Sequence, residues 1–236
     1  MWRIFNSLVA GVADALFKPN CAICGKPSED YVCASCDRQL SAHQLANPIQ
    51  SDPKLPVLLF VWGTYEQALK QAIARCKYQN QPRIAFHLGQ RLGEVWQNQP
   101  PCQALGKLAV IPIPMHADKL KLRGFNQAEE LAKGFCRVTH LPHCPEWLVR
   151  VKYTKPQMET KSKQEREANL RQAFQAHVPP HPYQGVILLD DIYTTGVTMR
   201  TAMETLAAAN VKTLAIVVLA RPHFPVTYKK ELSKTR

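Results

Sequence analysis

The chain has 236 residues, 46% of them hydrophobic and 20% charged, with a net charge of +12 and a pI near 9.4. That balance describes a globule with one core of moderate size and a small appendage. No apolar stretch approaches the ~18 residues needed to cross a bilayer, which excludes a transmembrane segment, and eight cysteines at this length do not require a secreted disulfide scaffold. Residues 1–50 hold four basic and four acidic residues, so the whole excess lies in 51–236. Anionic partners such as polyphosphate or nucleic acid fit that excess, and a solubilising surface charge fits it equally well.

In chain order, Phe5, Leu8, Val9, Val12 and Leu16 form one stripe of an amphipathic helix over residues 1–18. Asp14 interrupts the apolar run and no small-residue cleavage site follows, so a signal peptide is not expected. The polar face lacks basic residues, which argues against a membrane-surface role. Next comes Cys21-x2-Cys24-x8-Cys33-x2-Cys36, two hooks that together supply four thiolates for a tetrahedral ion. A closed four-thiolate set leaves no open position, so the expected Zn²⁺ is structural, within a lobe over 19–47. A redox pair or an iron–sulfur cluster is the alternative. The remaining cysteines, Cys76, Cys102, Cys136 and Cys144, are scattered and read as free thiols of a cytoplasmic protein, with the inner face of the membrane as a second location.

Pro48, Pro53 and Pro56 mark residues 48–56 as a linker, and a larger α/β domain is expected over 55–236. Val57–Trp62 reads as a strand and Glu66–Cys76 as a helix leading into Lys77-Tyr78. Leu108 to Ile113 is a strand closed by Pro112 and Pro114. Met115 to Gln127 is a basic loop opening a helix that runs to about Val138. Residues 150–171, with seven basic and three acidic residues, read as a polar loop.

Gly185-Val-Ile-Leu-Leu-Asp190-Asp191-Ile-Tyr193-Thr194-Thr195-Gly196-Val197-Thr198 is the most informative run. A short buried strand ends at two carboxylates, a glycine-bearing turn follows, and a helix begins. Backbone N–H groups in such a turn and the helix dipole hold a phosphate. Gly196 permits a positive φ, and the threonine hydroxyls donate to phosphate oxygens. Carboxylates repel phosphate but accept hydrogen bonds from a diol, so phosphate beside diol describes ribose 5-phosphate. Apolar residues at 199, 202, 203, 206 and 207 give one helical face, Asn210 suits a left-handed stop, and Leu214–Ala220 is a strand covered on both faces. The unit is βαβ, with a parallel sheet.

Leu16-Phe17-Lys-Pro19 before the first hook, the four cysteines, Ile111-Pro-Ile-Pro114, Arg123-Gly-Phe-Asn-Gln127, the series Gln157, Arg166, Asn169 and Phe174, and the Asp190–Thr198 run occur in the order of the ComF family (ComFC or GntX-like proteins), which the chain resembles along nearly its whole length. The resemblance implies a type I phosphoribosyltransferase-like parallel sheet flanked by helices, with an N-terminal four-cysteine zinc finger. It implies that Asp190 and Asp191 hold the ribose hydroxyls of phosphoribosyl pyrophosphate (PRPP), with Mg²⁺. Tyr193, Thr194, Thr195, Gly196, Val197 and Thr198 would form the 5-phosphate loop, and Met115 and His116 the pyrophosphate position, completed by Arg123. Arg150, Lys152 and Arg166 would neutralise the leaving pyrophosphate, with Asp190, Asp191, Lys152 and Arg166 as the catalytic set.

The family also implies a role in uptake of transforming single-stranded DNA. Lys152, Lys155, Lys161 and Lys163 would contact the strand, and Lys77-Tyr78 and Lys152-Tyr153 suit backbone contact and base stacking. Three readings stand open. The chain is a phosphoribosyltransferase of unknown acceptor, a non-catalytic module for single-stranded DNA, a competence helicase or another DNA-processing protein, or a regulator that senses PRPP without turning it over.

Overall fold

The computed structural model describes residues 20–151 and 173–222. The amphipathic stripe expected over 1–18 lies outside them. The chain divides into two compact units, Met1–Ala42 and His43–Arg236.

In the first unit the two cysteine hooks face each other. Gly25 (φ +73°) turns the first hook, with its N–H donating to Cys21 O at 2.8 Å. Cys33 sits at the N-cap of helix α1, Ala34–Ser41, which carries Cys36. The Cys33 N–H donates to Cys21 Sγ at 3.3 Å, so backbone from one hook orients a thiol of the other.

The second unit is built on a five-stranded sheet of order β1-β2-β7-β6-β3. Its strands are β1 (Ile49–Gln50), β2 (Leu58–Thr64), β3 (Leu108–Pro112), β6 (Gly185–Ile192) and β7 (Thr213–Arg221). β2, β7, β6 and β3 run parallel, and β1 pairs antiparallel at the edge. Continuous burial of Leu59–Trp62, Leu108–Ile111, Val186–Leu189 and Ala215–Ala220 follows from covering both faces of a parallel sheet. A separate antiparallel pair, β4 (Leu148–Arg150) and β5 (Phe174–Ala176), packs into the same core through Leu148 and Phe174.

The helices are α2 (Gln67–Tyr78), α3 (Pro82–Gln97), the single turn α4 (Pro100–Gln103), α5 (Ala117–Arg123), α6 (Gln127–Thr139) and α7 (Val197–Ala208). Helices α3 and α6 approach unusually closely because glycine stands at both contacts. A Cβ on Gly89 would lie 2.0 Å from Leu131 O, and one on Gly134 2.0 Å from Phe86 O. Trp96 of α3 fills the space beneath, edge-on to Phe60 of β2 (5.3 Å) and Phe135 of α6 (5.8 Å). Edge-to-face pairs of this kind each add ~0.5–1.5 kcal/mol beyond area burial.

Two expectations need correction. The proline-bearing stretch 48–56 is not wholly a linker: Ile49–Gln50 form the edge strand β1, with Ile49 opposite Phe60, the Val61 N–H donates to Pro48 O at 2.8 Å, and the break between the two units falls earlier, at Ala42/His43. The basic segment after Pro114 is no open loop either: Ala117–Arg123 is a short helix, capped by His116 at its start and closed by Gly124 at φ +83°. No helix among the described residues is long and apolar enough to cross a membrane.

Candidate functional site

The four parallel strands deliver their carboxyl ends to one edge, where ligands of such sheets bind. β6 contributes Asp190 and Asp191, which lie inside its last three residues rather than just beyond it. β3 ends beside them. Pro112 pairs with Leu189 and the Ile113 N–H donates to Leu189 O at 2.8 Å, so Met115 and His116 leave the sheet next to the two acids.

After Ile192 the chain turns through Tyr193, Thr194, Thr195 and Gly196. Gly196 is the N-cap of α7 at φ +70°, a conformation that L side chains rarely adopt, so the requirement for glycine here is conformational. Thr194 and Thr195 are exposed, Val197 and Thr198 are half-buried in the first turn of α7, and Arg200 returns to donate to Thr195 O at 3.1 Å. An exposed turn with hydroxyls and backbone N–H groups at the N-terminus of a twelve-residue helix is chemically able to seat an anion.

The two acids are not equivalent. Asp190 Oδ1 accepts the Asp191 backbone N–H at 2.8 Å. Burial, followed by the charge of Asp191, pushes the Asp190 carboxyl well above the usual carboxylate range. Asp191 instead pairs with Lys77 of α2, Nζ to Oδ2 at 2.5 Å, with side-chain exposures of 20% and 17%. Burial works to lower the Lys77 ammonium, but Asp191 outweighs it and holds the group above its ordinary value. Lys77 is therefore committed to the acidic pair, which corrects its reading as a free contact for a DNA backbone. Nothing in the signature itself points to Lys77.

His116 accepts the Asp118 N–H on Nδ1 at 3.2 Å, which is the helix cap of α5. Arg123, at the last position of α5, stacks 6.0 Å from the ring of Tyr78, which is 79% exposed. Asn126 is buried, donating Nδ2 to Ile113 O at 3.0 Å and accepting the Ala128 N–H at 3.2 Å, so it ties α6 to the end of β3. Gln127 is buried next to it, and its Nε2 has no partner among the described residues. It lines a small cavity shared with Asp191 and Cys76. Arg150, at the end of β4, holds its guanidinium 5.5 Å from the centroid of the Phe174 ring, and burial lowers it against the opposing pull of Asp190. Lys152, Lys155, Lys161, Lys163 and Arg166 lie outside the described residues.

In the first unit, Cys21, Cys24, Cys33 and Cys36 place their sulfurs within 4.8 Å of one another, and Cys24 and Cys33 Sγ are 3.8 Å apart. Four thiolates at about 2.3 Å around one tetrahedral Zn²⁺ are separated by about 3.8 Å, so the cluster fits that ion.

The phosphoribosyl transferase domain model matches residues 122–232, which contain the acids, the turn and α7. Competence protein F of Haemophilus influenzae is 30% identical over 208 residues, covering 85% of this chain and 90% of its own. The chain belongs to the ComF family. Competence protein ComFC of Bacillus subtilis is 24% identical over 202 residues, covering 84% of this chain and 77% of its own. Both matches cover more than four fifths of this chain. Asp52, and the pairing of Lys77 with Asp191, are what sequence reasoning missed, and both residues lie outside those that carry the resemblance.

Proposed function

We propose that this ComF-family protein binds PRPP or ribose 5-phosphate at the Asp190–Thr198 edge and acts in competence, in the uptake of transforming DNA. The observation that carries the reading is the turn itself: a left-handed Gly196 caps α7 directly after two acids at the carboxyl edge of a parallel sheet. The 5-phosphate would take the backbone N–H groups of residues 194–197 and the hydroxyls of Thr194, Thr195 and Thr198. Asp190 and Asp191 would take the ribose hydroxyls. An Asp190 that keeps its proton can both donate to and accept from a hydroxyl, while the Lys77 ammonium limits the repulsion between two neighbouring acids and a polyphosphate.

Turnover would break the bond between the anomeric carbon and pyrophosphate through an oxocarbenium-like state. Arg123 and Arg150 would steady the departing charge, together with Lys152 and Arg166. Mg²⁺, when bound with PRPP, would neutralise part of the same charge. Calorimetric titration with PRPP and Mg²⁺ tests the binding: heat with wild-type protein, and at least ~10-fold weaker binding after Asp190→Ala with Asp191→Ala, supports the reading. A pyrophosphate-release assay then separates an enzyme from a sensor. Absence of heat at millimolar PRPP overturns the reading.

A second reading, direct contact with single-stranded DNA, is favoured by the exposed Tyr78 ring carrying Arg123 on one face. Such a ring stacks a base while the guanidinium meets the backbone. Binding should weaken with salt, with a log–log slope of roughly −0.7 per phosphate contact. Charge reversal at Lys152, Lys155, Lys161 and Lys163 should flatten that slope, and no binding at low salt removes this role.

A further inference from the structure

One side chain of the signature is turned inward. Tyr193 is 1% exposed, and its hydroxyl donates to Asp52 Oδ2 at 2.7 Å across 141 residues of sequence. Asp52 is itself held. Its Oδ1 accepts the Lys54 N–H at 2.9 Å, and its carbonyl accepts the Leu55 N–H at 2.9 Å, which makes a tight turn between β1 and β2. The Tyr193 ring is fixed from the other side by the Arg221 guanidinium, 5.3 Å from its centroid, and its N–H donates to Ala220 O at 2.9 Å.

The phenol also occupies the space under the anion-seat turn. A Cβ on Gly196 would lie 2.2 Å from the Tyr193 hydroxyl, so this oxygen is already against the glycine. Above, Arg200 holds the Thr195 carbonyl. The turn is thus clamped between a side chain from its own first residue and one from the helix that follows. Burial works to raise the Asp52 carboxyl, but the Tyr193 hydrogen bond, the Lys54 N–H and the charges of Arg221 and Lys54 together outweigh it and hold Asp52 below the usual carboxylate range, which keeps it an acceptor.

We infer that Asp52 and Tyr193 form a latch that sets the shape of the 194–196 turn, and that both are positioning residues for the sugar phosphate. Neither needs to touch the ligand. The ligand half of this inference rests on the function proposed above; the shape of the turn does not.

The test uses the full chain and two readouts. The first is ribose 5-phosphate affinity by calorimetry for wild type, Tyr193→Phe, Asp52→Ala, Asp52→Asn and the Tyr193→Phe, Asp52→Ala pair. Loss of one such hydrogen bond should weaken binding about 3- to 10-fold in either single variant, with no further loss in the pair. Asp52→Asn keeps one oxygen to accept the Lys54 N–H and turns its NH2 toward the Tyr193 hydroxyl, which can accept it, so this variant should stay near wild type, a rescue that loss of general stability would not produce. The second readout is amide exchange at Arg200, whose N–H donates to Gly196 O at 3.0 Å. Opening the latch should speed it by a similar factor without ligand present. Wild-type protein that ignores ribose 5-phosphate overturns the ligand reading, while faster Arg200 exchange in the variants still upholds the latch. Unchanged exchange in Tyr193→Phe, or binding that equals wild type, overturns the latch.

Discussion

Replacing Lys77 with Met leaves Asp191 without its cation. At 2.5 Å and an effective dielectric near 20, the pair attracts by about 7 kcal/mol before desolvation is counted. Withdrawing both groups from water cancels much of this, and removing one partner of a buried pair costs about 3–5 kcal/mol. With 20% and 17% of the side chains still exposed, the low end applies, about 3 kcal/mol. For a unit of this size that is a fall of about 6–12 °C in the melting temperature. The decisive variant is the pair Lys77→Met with Asp191→Asn, which removes the orphaned charge together with its partner. Differential scanning calorimetry should find most of the lost stability restored. A Lys77→Met protein melting within about 2 °C of wild type, or a pair less stable than either single variant, refutes the assignment of Lys77 to Asp191.

Asp190→Asn should stabilise the folded protein at neutral pH while weakening sugar-phosphate binding. The folded state holds the Asp190 proton more tightly than the unfolded chain does, so its contribution falls as pH rises from the usual carboxylate range. The gain from Asn should therefore fade as pH drops toward about 4, read from melting curves against pH. Gly196→Ala should cost ~1–2 kcal/mol for the positive φ alone and should lower ribose 5-phosphate affinity, since the new Cβ meets the Tyr193 hydroxyl; unchanged calorimetric affinity contradicts this. Elemental analysis should find about one zinc per chain. Cys33→Ser should lower that content and expose residues 20–42 to protease, and full zinc content in the variant contradicts the ligand set.

Much of the site was legible because it is local. The run from Gly185 to Arg221 forms β6, the turn, α7 and β7 without a break, so its apolar strands, helical face and Asn210 stop (φ +58°) could be read in order. What was missed is contact across long sequence separations. Asp191 meets Lys77 of α2, and Tyr193 meets Asp52, and neither partner sits in a pattern that marks it. Residues 48–56 looked like a linker because three prolines conceal a two-residue edge strand, which needs no alternation to pair. Helix α5 escaped notice for a different reason. All but Arg123 of its residues are exposed, so no buried stripe gives it a helical period.

The 194–198 turn is proposed to seat the phosphate of a phosphoribosyl ligand. Backbone amide shifts recorded during titration with ribose 5-phosphate test it most directly, because they report place as well as binding. Saturable shifts centred on Thr194, Thr195, Gly196 and Thr198, with a second group at Asp190 and Asp191, are expected, all abolished by Gly196→Val. Shifts confined to the cysteine unit or to α5, or none at millimolar ligand, would contradict it.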